Sequence, residues 1–250
     1  MAGPLAQFEI KPLIEIKLPE ILGGYDISFT NSALWMLLSI AAVSVFLLAG
    51  SRRRDSDVPG RWQGSVESCY EFIAGLVNDN IGDDGRKFLP IVFTLFLFIL
   101  FGNLLGMIPY SFTFTSHIIV TFAMALMVFL GVTLLGIFTH GLHFFSFFVP
   151  QGAPKPLIPF MIVIEVISYL SRPMSLAIRL FANMMAGHTM MKVFAGFIIS
   201  LGAATYGIGG LAPLAMTVIL TGFEILVAFL QAYVFAVLTC LYINDALHLH

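Results

Sequence analysis

From Phe88 to His250 the chain carries only seven Asp, Glu, Lys or Arg residues: Lys155, Glu165, Arg172, Arg179, Lys192, Glu224 and Asp245. A stretch so poor in charge must bury itself in something other than water. The whole chain is 59% hydrophobic and 10% charged, with mean hydropathy +0.96, whereas soluble domains hold an apolar share of about 45–50%. These values place it among membrane proteins. A net charge of -2 gives no basic footprint for nucleic acid. Cys69 and Cys240 are too few and too far apart for a disulfide framework or a zinc site, and read as apolar fillers. The N-terminus, "MAGPLAQFEIKPLIEIKLPE", is of mixed charge and broken by proline, so no cleaved signal or presequence is expected.

About 20 apolar residues cross a bilayer as a helix, and the first such run is 31–50, which has no charge. It ends in "SRRRD". Arg52, Arg53, Arg54, Arg61, Arg86 and Lys87 set six cations between the first and second spans. The positive-inside rule puts that loop in the cytoplasm and the N-terminal segment 1–30 in the periplasm. Within the loop, Trp62, Val66, Cys69, Ile73 and Leu76 recur at steps of four and three, while Gln63, Glu67, Glu71 and Asp79 take other faces. The spacing predicts an amphipathic helix over 62–80, lying on the membrane surface or packed on a partner.

Spans over 88–108, stopped by Pro109, and over 117–139 follow as a hairpin. In the first of them "GNLLG" sets Gly102 and Gly106 four apart, which lets two membrane helices approach closely, with Asn103 placed to hydrogen-bond across the contact. The loop "HGLHFFSFFVPQGAPKP", with Lys155, returns to the cytoplasm. His140 and His143 in it read as interfacial, since no Cys or carboxylate stands near to complete a metal site. Two longer runs close the chain. Over 156–200 only Pro173 and Gly187 interrupt the pattern, and a helix of that length would be roughly 65 Å long against about 30 Å of hydrocarbon. Residues 214–247, after "SLGAATYGIGGLAP", would make about 50 Å more. The expected fold is an all-α polytopic membrane protein with about five membrane helices plus an amphipathic surface helix. Its last two helices form a long, steeply tilted hairpin, with a kink or break at Pro173 as the rival account, and "NDALHLH" ends in the cytoplasm.

The charges within this apolar material are patterned. Glu165, Arg172 and Arg179 stand at intervals of seven and share one stripe of a helix, with Asn183 one turn beyond. Arg179 lies near the middle of its run, where its side chain cannot readily reach a headgroup and its charge costs several kcal/mol. A structural tie to a carboxylate would need Glu165, about 21 Å away along the helix, or Glu224 on the next one. His188 points away from Arg179, while Glu224 and Gln231, again seven apart, share a face. Counting from Gly207, His188 is 19 residues back and Glu224 is 17 forward, so an antiparallel hairpin sets them at nearly one depth. A permanent cation thus divides two sets of titratable groups, as in a proton path deliberately interrupted.

"SLAIRLFANMMAGH", "FEILVAFLQAYVFAVLTCLYIND" and "LFLFILFGNLLGMIPY" resemble the a subunit of the F-type rotary ATP synthase, and the similarity runs from about Asp26 to the C-terminus. That resemblance implies a stator lying against a ring of c subunits, with peripheral-stalk b subunits and the remaining subunits as further partners. Two offset aqueous half-channels are implied, with Arg179 as the essential arginine between them. Asn183 and Gln231 match its polar neighbours, Glu165 a carboxylate of the outlet, and His188 with Glu224 the inlet pair. Some bacterial members carry this pair in reversed order. The order here resembles mitochondrial members, which fits a bacterial inner membrane close to that lineage or the mitochondrial inner membrane itself.

An ion-coupled secondary transporter is the rival from another class, because midplane charges also mark such sites. Against it, no repeat relates the two halves of the chain. Neither HExxH nor a phosphate-binding glycine loop followed by Lys is present. The chain is therefore expected to be no enzyme by itself, and to need no metal or cofactor.

Overall fold

Six α-helices carry most of the chain in a computed structural model that describes residues 8–15, 28–51, 60–108, 111–141, 143–144 and 157–248. They are α1 (Asn31–Ser51), α2 (Arg61–Ile81), α3 (Leu89–Gly106), α4 (Ile118–His140), α5 (Ile158–Ala204) and α6 (Leu211–Leu247). All but α2 are long and apolar enough to cross a membrane. Arg52, Arg53, Arg54, Pro109, Lys155 and most of the loop before α5 lie outside the described residues.

A small antiparallel ribbon, which the sequence pattern did not announce, precedes α1: β1 (Pro12–Ile14) pairs with β2 (Phe29–Thr30). Asn31 fastens it to the helix. Its Oδ1 accepts from the backbone N–H groups of Ser32 (2.9 Å) and Lys11 (3.2 Å), and its Nδ2 donates to the Glu9 carbonyl at 3.1 Å. One side chain thereby satisfies helix-terminal and strand groups together.

At the centre stands α6, packed against α2, α3, α4 and α5. Ala228, Ala232, Ala236 and Cys240, four residues apart, are fully buried and form a seam of small side chains along which helices come close. Asn103 reaches this seam and donates from Nδ2 to the Ala228 carbonyl at 3.3 Å. The hydrogen bond across a helix contact expected of Asn103 is therefore present. Gly102 and Gly106 do something different. A Cβ on Gly102 would sit 2.5 Å from the Phe114 ring and one on Gly106 would sit 2.7 Å from the Thr113 side chain, so the two glycines receive the α3–α4 connection rather than another membrane helix. The hairpin of α3 and α4 is correspondingly open: each packs on α6, and an apolar groove lined by Ile91, Leu95, Met127 and Val128 runs between them.

Of the two settings open to α2, half of each is found. Ile73, Leu76, Val77 and Ile81 are buried, and the Phe72 ring meets Phe96, Phe229 and Tyr233, whereas Trp62 at the other end is 67% exposed. The helix is seated on the bundle at its C-terminal end; toward its N-terminus Val66 packs against Gly50 of α1, and Trp62 is left exposed.

With 47 and 37 residues, α5 and α6 reach about 70 Å and about 55 Å. Pro173 lies inside α5 without ending it. No break divides the helix there, and its length exceeds the thickness of the hydrocarbon. The turn between the two helices passes through Tyr206 (φ 52°) and Gly207 (φ 98°), left-handed backbone that a glycine adopts freely.

The Gly102 contact yields a stability prediction. Gly102→Leu drives carbon into a ring that is 1% exposed and should cost about 1–3 kcal/mol, lowering the thermal midpoint of the detergent-solubilised complex. Gly131→Ala, where an added Cβ meets nothing within 4 Å, should leave it unchanged. Equal midpoints in the two variants would contradict the packing described.

Candidate functional site

Three groups of polar side chains are strung along the α5–α6 hairpin. Farthest from the C-terminus of the chain, His188 of α5 and Glu224 of α6 meet with Nδ1 and Oε1 2.6 Å apart, both nine-tenths or more buried. Gly187 makes the approach possible, because a Cβ there would lie 2.8 Å from the carboxylate. The contact is an ion-pair approach rather than an aligned hydrogen bond, and among the described residues neither Glu224 oxygen has an aligned donor. Nδ1 also lies 3.0 Å from the Met184 carbonyl, while Nε2 lies 2.9 Å from both the Gly106 carbonyl and Thr113 Oγ1. Both ring nitrogens therefore face oxygen.

Arg179 lies nine residues before His188, about 13 Å along the axis. It is exposed, and among the described residues its side chain makes no ion pair or hydrogen bond. Neither carboxylate considered from sequence closes on it: Glu224 is taken up by His188, and Glu165 lies two further heptads along α5. The half-buried Asn183 and Gln231 likewise make no side-chain hydrogen bond among the described residues. Exposed apolar side chains occur along both helices of the hairpin, among them Met174 and Ile178 on α5 and Leu226 and Leu230 on α6.

The third group was not singled out from sequence. Arg172 pairs with Asp245 at 2.9 Å, and its guanidinium lies over the rings of Tyr169 and Tyr242 at 5.3 and 5.1 Å. Tyr169 in turn shares a 2.7 Å hydrogen bond with Thr133 of α4. An arginine held between two rings and a carboxylate is fixed far better than one exposed pair would be. The signal was present: Arg172 stands 35 residues before Gly207 and Asp245 stands 38 after it, the same hairpin count that pairs His188 with Glu224. Glu165 sits half-buried two turns before Arg172, at this end of α5. Its place relative to Asp245 follows from chain position alone.

Among the described residues, no group of three or more His, Cys, Asp or Glu side chains could hold a metal ion. What the hairpin offers is a buried imidazole–carboxylate pair at one depth, a clamped arginine–carboxylate pair at another, and an outward, unpaired arginine between them.

The family described as "ATP synthase A chain" matches residues 33–244. Over the full length of both proteins the chain is 53% identical to ATP synthase subunit a of Paramagnetospirillum magneticum and 50% identical to that of Rhodospirillum rubrum. It is 53% identical to ATP synthase subunit a of Pelagibacter ubique, with 99% of this chain and 98% of that protein covered. Matches of this extent and identity decide the matter: the chain belongs to the ATP synthase A chain family, that of ATP synthase subunit a.

Proposed function

We propose that this chain is the stator that conducts protons past a rotating ring of membrane carboxylates, with Arg179 as the barrier between two half-channels. Family membership makes it a multi-pass membrane subunit of a proton-translocating ATP synthase, and not its catalytic subunit. The observation that carries the finer reading is the state of Arg179: exposed, without a partner among the described residues, and set between two polar clusters.

An arginine placed at mid-membrane depth costs about 3 kcal/mol even on the lenient insertion scales. A chain that leaves it unpaired in its own fold supplies one half of an interaction. The other half is an anion on a partner, and a ring of c subunits with one carboxylate each meets that need repeatedly. As each protonated carboxylate reaches Arg179, the fixed cation favours its ionised form and the proton leaves toward the Glu165 end of α5. Past Arg179 the bare carboxylate is reloaded from His188 and Glu224. Arg179 cannot itself relay the proton, because guanidinium stays charged at any working pH. Asn183 and Gln231 are its polar neighbours in this reading. The peripheral-stalk b subunits hold this stator against the torque.

Removing the cation should open a path between the clusters. Arg179→Ala is expected to abolish ATP-driven pumping and to let protons leak passively through the reconstituted complex, with and without sodium. Arg179→Lys should also fail, since a desolvated ammonium can shed its proton. Wild-type pumping in either variant would overturn the barrier role.

The same reading sets the C-terminus and the loop before α3 in the cytoplasm and the N-terminus in the periplasm, from the cations between the first two spans. Cys69 on α2 reports on this. An impermeant thiol reagent should modify it in inverted vesicles and not in intact spheroplasts. Burial holds its thiol above the ordinary value, so the thiolate fraction is small near neutrality and labelling should quicken as the pH is raised. Modification from outside intact cells would reverse the proposed orientation.

A further inference from the structure

We propose that Thr113, in the connection between α3 and α4, is the residue that hands protons to His188. The proposal rests on the reading of His188 and Glu224 as the proton inlet and adds the step before it. Thr113 is 3% exposed, and its Oγ1 lies 2.9 Å from Nε2 of His188 and 3.0 Å from the Gly106 carbonyl. Nε2 itself lies 2.9 Å from that carbonyl. The three atoms form a closed triangle: a hydroxyl that both donates and accepts, a ring nitrogen that does either according to its protonation, and a carbonyl that only accepts.

That triangle satisfies the ring nitrogen in both of its states without movement of any heavy atom. With Nε2 bare, its lone pair accepts the Thr113 O–H. With Nε2 protonated, its N–H is accepted by Thr113 Oγ1, whose own hydrogen turns to the Gly106 carbonyl. The transfer balances as a relay: the hydroxyl proton passes to Nε2 while Oγ1 takes a proton from hydrated protons on its outer side, so one positive charge moves inward and Thr113 ends as it began. A buried group that must change charge in an apolar setting needs such a partner, since an unmet donor or acceptor there is strongly unfavourable.

The surrounding sequence is fitted to the triangle. Gly106 must lack a side chain, because a Cβ there would sit 2.7 Å from Thr113 Oγ1. Ser111 donates to the same carbonyl at 2.6 Å, and Ser116 donates to the Thr113 carbonyl at 2.5 Å, holding the connection against the end of α3. Two more polar atoms of this connection, Thr115 Oγ1 and His117 Nε2, are buried with no hydrogen-bond partner among the described residues. These hydrogen bonds position Thr113, whose hydroxyl is the one in this connection that meets the ring.

The test uses the complete complex in proteoliposomes, with the amount assembled measured for each variant and ATP synthesis driven by an imposed proton gradient. Thr113→Val keeps the shape and removes the hydroxyl; it should slow synthesis about a hundredfold, the lower end of what a positioned proton-transfer group contributes. Thr113→Ser keeps the hydroxyl and should restore most of the rate. Wild-type speed in Thr113→Val, or a Ser variant as slow as the Val one, overturns the relay. If the Val variant does not assemble, Thr113→Ala removes the hydroxyl without adding a contact and is read in the same way. His188→Leu separates the two claims. A slow His188→Leu beside a normal Thr113→Val overturns the relay alone, whereas normal rates in both overturn the inlet reading as well.

Discussion

The cost of holding charge in hydrocarbon organises this molecule. Inside the membrane helices, Arg172 is paired with Asp245 and Glu224 with His188, whereas Arg179 is turned outward. Pairing one and exposing another are two answers to the same penalty. The paired groups are compensated within the fold and would hold their places in an isolated chain. Arg179 is exposed and has no ion pair or hydrogen bond among the described residues, which is why the proposed partner is placed against it.

The hairpin of α5 and α6 turns that penalty into geometry. Two helices longer than the membrane is thick must tilt, and a tilted pair presents a long edge to a neighbour instead of a spot. Along that edge the polar groups occur at separated depths, with about 13 Å between Arg179 and His188 along the axis. Small side chains of α6 at Ala228, Ala232 and Ala236 let α6 sit at the middle of the bundle, so the edge is backed by α3 and α4 and cannot give way. The same backing delivers the end of α3 and the connection after it to the far side of His188. The ring is thereby wrapped by three elements instead of two.

How much of this could be read from the chain depends on the range of the interaction. Helices declare themselves through length and periodicity, and a hairpin with one identifiable turn fixes depth by counting, which is why His188 and Glu224 could be set together in advance. The same count joins Arg172 to Asp245, but the seven-residue stripe of Glu165, Arg172 and Arg179 assigns Arg172 to a helix face and points to no partner for it. The contacts of Thr113, Phe114 and Gly106 were illegible for a different reason. They are made by irregular backbone folding back onto a helix end, and no periodicity describes where such a segment goes. "GNLLG" was read with the commonest use of its spacing, helix against helix, whereas the structure spends both glycines on that segment. Asn31 and the β1–β2 ribbon escaped likewise, since three-residue and two-residue strands carry too little pattern to be seen.

The central claim is that the polar groups at the two ends of the hairpin open to opposite sides of the membrane and do not communicate through this chain. Sidedness of access tests it directly. In a complex with Cys69 and Cys240 replaced by alanine, a single cysteine is placed at Ser168, beside Glu165 and Arg172, or at Thr189, beside His188, and inhibition by an impermeant thiol reagent is followed in vesicles of both orientations. The account predicts that the cysteine at 168 is reached only from the side of the C-terminus and the cysteine at 189 only from the opposite side. A position reached from both sides, or both positions reached from one, would contradict it.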